Sequence, residues 1–122
     1  GGVDKYGKTI PNYHYEDLKI VSDLYKKAGL ANPAVIVDAN HSNSDKKYKE
    51  QIRIVMDVMH NRKYHPEIRK LVKGVMIESY LIEGRQDICE NYVRGQSITD
   101  PCLGWEDTKR LILDIYAKTK EY

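Results

Sequence analysis

Two kinds of apolar pattern alternate along the 122-residue chain. In three segments the apolar residues recur every three or four positions, which is the spacing of one face of an α-helix. In two other segments, Ala34 to Val37 and "LVKGVMIES" (71–79), the apolar residues are nearly continuous, which is typical of strands buried on both faces. The pattern therefore predicts the order helix, strand, helix, strand, helix.

The first predicted helix has clear signals at both ends. Glu16 and Asp17 lie in its first turn, and Lys26 and Lys27 lie in its last turn. Charges in this order stabilise the helix dipole. Gly29 follows, and glycine readily adopts the left-handed conformation that ends many helices. We therefore expect the helix to end at Gly29.

The boundaries of the later elements are predicted from capping residues and helix breakers. Ser44 or Asp45 can cap the second helix. The polar stretch 60–70 ends or interrupts that helix, with Pro66 as the breaker. We expect residues 80–96 to form an irregular loop before the last helix. The predicted apolar stripe of that last helix consists of Thr108, Leu111, Ile112, Ile115 and Tyr116.

The alternation of elements predicts the fold class. Continuously apolar strands between amphipathic helices indicate an α/β fold, in which helices cover a parallel sheet. A sheet of only two parallel strands is small and leaves two open edges. The pattern is therefore typical of one portion of a larger α/β protein.

Charge and composition argue against several classes of protein. The formal net charge is +2 and both signs are interspersed, which argues against a nucleic-acid partner or a membrane-binding surface. No apolar stretch is long enough to span a bilayer. The two cysteines, Cys89 and Cys102, are too few for a disulfide scaffold. We therefore expect free thiols in a reducing compartment and a cytoplasmic location.

Three side chains that could bind a metal lie near the C-terminal ends of the predicted strands, where functional residues of parallel α/β folds collect. His41 follows the first strand, Glu78 ends the second, and Asp100 precedes the last helix. One imidazole and two carboxylates suit a divalent metal such as manganese, iron, cobalt or zinc. Their spacing alone leaves open the alternative that all three are hydrogen-bonded loop residues. Cys102, beside Asp100, could ligate the metal or be oxidised.

Three motifs in order carry a resemblance to a known family. They are "VIVDANHSNSDKKYKEQ" (35–51), "GVMIESYLIEGRQ" (74–86) and "GQSITDPCLGWEDT" (95–108). Together they resemble the C-terminal part of the microbial type I DAHP synthases (3-deoxy-7-phosphoheptulonate synthases). The resemblance extends over nearly the whole chain.

The resemblance implies a TIM (β/α)₈-barrel enzyme that catalyses the first step of the shikimate pathway. Such an enzyme condenses phosphoenolpyruvate with erythrose 4-phosphate and releases phosphate. The resemblance also implies that His41, Glu78 and Asp100 ligate a divalent metal. In the implied mechanism the metal polarises the sugar aldehyde as a Lewis acid, and the enol carbon of phosphoenolpyruvate attacks it.

The chain departs from the usual family pattern beside these ligands. Ala39 and Asn40 precede the histidine, where the family commonly has an aromatic or small residue and a serine. Tyr80 stands where a histidine is common. None of these differences removes an implied metal ligand.

The length of the chain limits what it can do alone. A barrel of this type takes about 250 residues. We therefore expect residues 1–122 to be a single C-terminal fragment of an incomplete barrel, from about the sixth helix to the eighth helix. The family's fourth ligand, a cysteine, and its phosphate-binding cations would lie upstream. The isolated chain is therefore expected to be inactive.

Two alternatives belong to other functional classes. The chain could be a non-catalytic interaction module whose open strand edges pair with a complementary upstream barrel segment or with a second copy of itself. It could also be part of a related enzyme that makes a different 3-deoxy sugar acid. The motif at 97–108 argues against the second alternative, because it resembles DAHP synthases.

Overall fold

The structure is a computed structural model that describes residues 1–121. The predicted order of three main helices and two main strands is present, with several shorter elements between them. In chain order the elements are β1 (Gly2–Val3), β2 (Thr9–Ile10), α1 (Tyr15–Ala28), β3 (Val35–Asp38), a 3₁₀ turn (His41–Asn43), α2 (Glu50–Tyr64), α3 (Pro66–Leu71), β4 (Val72–Met76), β5 (Ile82–Arg85), β6 (Gln96–Ser97) and α4 (Trp105–Thr119).

Helix α1 ends where its sequence predicts. Gly29 has φ +63° and ψ +25°, which is the left-handed conformation, and its N–H donates to the carbonyl of Lys26. At the other end, the main-chain N–H of His14 donates to Asp17 over 3.2 Å. Both ends of α1 are therefore determined by local hydrogen bonds that the sequence indicates.

Strands β3 and β4 form the parallel pair that organises the molecule. Ile36 pairs with Gly74, and Asp38 pairs with Met76. Helices α2 and α3 connect the two strands, as a parallel connection requires. The two strands therefore end at the same edge, which we call the C-terminal edge.

The start of the second helix was predicted wrongly. Helix α2 begins at Glu50, not at Ser44 or Asp45. The intervening residues form a 3₁₀ turn and further turns, and Asp45 and Lys46 have positive φ angles. A continuous helix cannot pass through residues in that conformation, so the capping residue does not start the helix.

Two other segments hold more structure than the sequence predicts. Pro66 does interrupt the second helix, but it also begins α3, because proline at the first helical position loses no helical hydrogen bond. The expected irregular loop at 80–96 contains β5 and the start of β6, which form a short parallel pair. Such short strands carry too few residues to show a two-residue period.

The core lies between the helices and one face of the β3–β4 sheet. Its buried apolar members include Tyr13, Leu18, Val37, Ile54, Val55, Val58, Met59, Ile68, Val72, Leu103 and Leu111. On the opposite face, Ile36 is 69% exposed and Met76 is 46% exposed. We call this second surface, formed by Ile36, Gly74 and Met76, the open face. The expectation that both faces of the strands are buried therefore holds for one face only, because no described residue covers the other.

Two further expectations from composition concern membrane-spanning helices and the state of the cysteines. Among residues 1–121, no helix combines the length and the apolar character needed to cross a bilayer. Cys89 is exposed and Cys102 is buried, and both are free thiols.

Candidate metal centre

The structure brings His41, Glu78 and Asp100 together at the C-terminal edge. The Nε2 atom of His41 lies 3.1 Å from Oε1 of Glu78 and 3.3 Å from Oδ2 of Asp100. One potential ligand atom from each residue lies within 4.8 Å of the other two. Residues separated by up to 59 positions in the sequence therefore form one cluster.

His41 is oriented by an unusual main-chain conformation just beyond β3. Its φ angle is +52°, in the left-handed region that non-glycine residues seldom adopt. The turn is held by Asn43, whose side-chain amide donates to the carbonyl of Asp38 over 2.8 Å. Strained conformations of this kind persist where surrounding contacts impose them, and they cluster at functional sites.

Asp38 determines which imidazole nitrogen is available. The Nδ1 atom of His41 lies 2.7 Å from Oδ2 of Asp38. An ionised carboxylate can only accept a hydrogen bond, so the proton sits on Nδ1 and donates to Asp38. The lone pair of a neutral imidazole is then on Nε2, which faces Glu78 and Asp100.

The charges around His41 also change its protonation. The hydrogen bond that His41 donates to Asp38 raises the pKa of His41, burial opposes this rise, and the nearby charges of Asp38, Glu78 and Asp100 reinforce it. Without a metal, a protonated His41 can donate to both neighbouring carboxylates. A divalent cation would replace that proton on Nε2. The same geometry therefore serves an ion-paired histidine or a metal ligand.

Glu78 lies two residues beyond the end of β4 and is held by Gln51 of α2. The side chain of Gln51 is fully buried. Its Nε2 atom donates to the carbonyl of Glu78 over 3.0 Å, and its Oε1 atom accepts from the N–H of Glu78 over 2.8 Å. Gln51 therefore replaces the strand pairing that has ended at Met76.

Asp100 reaches the cluster from the loop between β6 and α4. Cys102 holds this loop, because its N–H donates to Gly84 and its carbonyl accepts from the N–H of Gly84. The Nζ atom of Lys46 donates to Oδ1 of Asp100 over 3.3 Å, which leaves Oδ2 facing His41.

The thiol of Cys102 does not extend the set of ligands. Its Sγ atom donates to the main-chain carbonyl of Asp100 over 3.3 Å. Burial raises the pKa of this thiol, while Ser97 opposes the rise. Within residues 1–121 the candidate cluster therefore consists of the imidazole and the two carboxylates.

No role was predicted for Asp38, Asn40 and Gln51, which orient the cluster. Asp38 carries a recognisable signal, since it lies three residues before a histidine at the end of a strand. Gln51 carries a weaker signal, an amide next to the apolar stripe of a helix. Asn40 contacts Glu78 across 38 positions of sequence, so no local pattern indicates it.

The match to a family model decides the family. The DAHP synthetase I family model matches residues 4–112, which include all three members of the cluster. The chain belongs to this family.

Individual relatives agree with this assignment. The phospho-2-dehydro-3-deoxyheptonate aldolase of Haemophilus influenzae is 44% identical over 109 residues, which are 87% of this chain and 29% of the relative. The Trp-sensitive aldolase of the same name from Escherichia coli K12 is 37% identical over 117 residues, or 92% of this chain and 32% of the relative.

A solved structure shows the same agreement in three dimensions. The phospho-2-dehydro-3-deoxyheptonate aldolase of Francisella tularensis SCHU S4 superposes with a TM-score of 0.82 at 31% identity. The match covers 90% of this chain and 31% of that chain. The present chain therefore spans about three tenths of the length of the relatives it matches.

Proposed function

We propose that this chain supplies the metal-binding part of a DAHP synthase. The parent reaction condenses phosphoenolpyruvate with erythrose 4-phosphate to DAHP and phosphate, at the start of the shikimate pathway. The convergence of His41, Glu78 and Asp100 at one edge of a parallel sheet carries the proposal. Membership of the DAHP synthetase I family supports it.

The donor atoms fit a divalent transition metal. His41 would offer Nε2, Glu78 would offer Oε1 and Asp100 would offer Oδ2. One nitrogen and two oxygens suit manganese, iron, cobalt or zinc and leave coordination positions for other ligands. When bound, such a metal supplies Lewis-acid activation of a carbonyl oxygen. The chain itself orients the histidine ligand through Asp38, because the hydrogen bond from Nδ1 places the lone pair of a neutral His41 on Nε2.

The open face supports the assignment of the chain to part of a barrel. Alternation along the strands places Asp38 and Glu78 on the same side as Ile36 and Met76. The cluster therefore lies at the C-terminal edge of the open face, where a barrel would have its interior and its active site. In this assignment α1 is the sixth helix, β3 and β4 are the seventh and eighth strands, and α4 is the eighth helix.

The exposed apolar surface indicates a protein partner. Among residues 1–121, β3 and β4 pair only with each other. Ile36 and Met76 on the open face, and Ile112 and Tyr116 on α4, are about half exposed or more. We infer that the strands and helices of an upstream barrel segment cover these surfaces. Self-association of the chain is the alternative.

A titration with Mn²⁺ tests the metal site. The electron paramagnetic resonance signal of free Mn²⁺ falls as the metal binds, so it reports affinity directly. We expect His41→Gln to weaken binding by more than about 100-fold, because losing a ligand costs more than losing a residue that orients one. His60→Gln is the matched control, since His60 is an exposed histidine of α2 outside the cluster. Equal affinities of the two variants would contradict the metal proposal.

An assembly experiment tests the partner and the activity. We expect the chain alone to form no DAHP from the two substrates with Mn²⁺, because in the proposed assignment the cations that bind the two phosphate groups belong to the upstream barrel segment. The upstream portion of the Haemophilus influenzae relative should bind the chain, as measured by light scattering. Turnover by the chain alone would contradict its dependence on a partner. Formation of a homodimer that does not bind the upstream portion would favour self-association.

A further inference from the structure

Asn40 is a buried amide between β3 and His41, and each of its polar groups has a partner. Its main-chain N–H donates to Oδ1 of Asp38 over 2.8 Å. Its side-chain Oδ1 accepts from the hydroxyl of Ser44 over 2.6 Å. Its side-chain Nδ2 donates to Oε2 of Glu78 over 2.7 Å. Asn40 therefore links the turn that carries His41 to the carboxylate that follows β4.

The partners of Asn40 determine the orientation of its amide. The opposite orientation would place Oδ1 against a carboxylate oxygen of Glu78, and neither atom can donate a hydrogen bond. It would also place the NH₂ group against the hydroxyl of Ser44, which would then have only the more distant carbonyl of His41, at 3.4 Å, as its acceptor. The observed orientation is therefore the one that satisfies all of these groups.

The two oxygens of Glu78 consequently have different roles. Oε2 is engaged by Asn40, whereas Oε1 lies 3.1 Å from Nε2 of His41. Gln51 fixes the main chain of the same residue through two hydrogen bonds. Contacts therefore hold both the main chain and the carboxylate of Glu78, and a rotation that turned the carboxylate plane out of this arrangement would break the bond to Asn40.

We propose that Asn40 is a positioning residue that holds the Glu78 carboxylate with Oε1 toward Nε2 of His41, so that Glu78 offers a cation this single oxygen. The claim that Glu78 offers one oxygen to a cation rests on the proposed metal function. The hydrogen bond from Asn40 to Glu78 does not depend on that function. A hydrogen bond from an amide to an ionised carboxylate is among the stronger ones in proteins. Residues that orient metal ligands in this way commonly change metal affinity by about 10–100-fold.

The substitution Asn40→Ser tests this role in the full 122-residue chain. Serine is shorter, so its hydroxyl cannot reach Glu78 from the same main-chain position. We expect Mn²⁺ affinity to fall about 10-fold, with a change in the resonance line shape of bound Mn²⁺ as the carboxylate reorients.

Val58→Ala provides a control for lost stability. Val58 is a fully buried core residue of α2, and its truncation destabilises the chain without touching Glu78. We expect this variant to bind Mn²⁺ as the unsubstituted chain does, although its unfolding midpoint falls. If Asn40→Ser also retains full Mn²⁺ affinity and an unchanged line shape, the positioning role is overturned.

A measurement on the metal-free chain separates this proposal from the metal proposal. Hydrogen exchange followed by nuclear magnetic resonance reports whether the side-chain NH₂ of Asn40 is hydrogen-bonded. We expect slow exchange at Asn40 and faster exchange after Glu78→Gln, which removes the charge on the acceptor. Fast exchange at Asn40 in the unsubstituted chain would overturn the positioning role. Failure of the unsubstituted chain to bind Mn²⁺ would overturn the metal function alone.

Discussion

The two faces of the β3–β4 sheet differ in what covers them. On the covered face, Val37 is 4% exposed and belongs to the same core cluster as residues of helices α2 and α4. On the open face, Ile36 comes one position earlier in the same strand and is 69% exposed. Strands with apolar residues on both sides are typical of parallel sheets buried on both faces. The difference indicates that residues 1–121 cover one face of the sheet only.

The candidate site lies at the edge of the open face. Glu78 and Asp38 continue the alternation of Met76 and Ile36, so the candidate cluster borders the open face. Helices of this chain complete the covered face, while the open face combines exposed apolar side chains with polar groups at its edge. Exposed apolar surface of this kind marks an interaction site. The comparison therefore links the candidate chemistry to the surface that we expect a partner to cover.

The largest expected effect is on the covered face. Ile54 of α2 is fully buried, so Ile54→Ala leaves a cavity in the core. We expect the free energy of unfolding to fall by about 4 kcal/mol, measured by urea denaturation. A loss below about 1 kcal/mol would show that the covered face is loosely packed.

The next effect concerns the junction between the covered face and the site. Gln51→Leu keeps a similar volume but removes both hydrogen bonds to the main chain of Glu78. We expect the free energy of unfolding to fall by about 2 kcal/mol, because the N–H of Glu78 loses its partner while its carbonyl keeps only the N–H of Leu103. Equilibrium unfolding in urea measures the loss.

Gln86 provides a matched control for Gln51. Its side chain binds the N–H and the carbonyl of Val93 in the same way, but Val93 lies in an exposed loop. We expect Gln86→Leu to cost less than Gln51→Leu, because water can replace the lost partners. Equal losses would mean that burial does not distinguish the two residues.

A smaller effect is expected at Gly29, which belongs to neither face. Its φ angle of +63° is unfavourable for any residue with a Cβ atom. We expect Gly29→Ala to lower the free energy of unfolding by about 1 kcal/mol. The thermal midpoint should fall accordingly in a calorimetric scan, and an unchanged midpoint would show that the end of α1 tolerates alanine.

The smallest effect on stability is expected on the open face. Ile36→Ala removes the same atoms as Ile54→Ala from a side chain that is mostly exposed. We expect the free energy of unfolding of the isolated chain to change by less than about 0.5 kcal/mol. The same variant should bind the upstream portion of a relative more weakly in light scattering. A large loss of stability in the isolated chain would instead place Ile36 in a core.

Local signals account for the parts of the fold that the sequence predicts well. Helix α1 and its end at Gly29 follow from charge placement and one glycine. The positions of β3 and β4 follow from continuous apolar runs. The three candidate ligands follow from their positions after strands and from the resemblance to a family. That these residues hold a metal stays a prediction.

The errors occur where distant contacts outweigh local preference. Ser44 is a good capping residue, but its hydroxyl donates to Asn40 and the helix begins six residues later. In the segment 80–96, Ile82 pairs with Gln96 in short parallel strands, and Gly84 forms a separate bridge to Cys102. Neither contact leaves a pattern within a short window of sequence.

The sequence by itself determined the order of the main helices and strands, the end of α1 and the residue types available for a metal site. These features depend on spacing and on main-chain preferences, which act between neighbours in the chain. Only the tertiary structure decided that Asn40 and Gln51 hold Glu78, and that one face of the sheet is left open. Those features depend on which distant groups form hydrogen bonds with each other and on which surfaces other elements pack against. They therefore exist only once the strands and helices have packed.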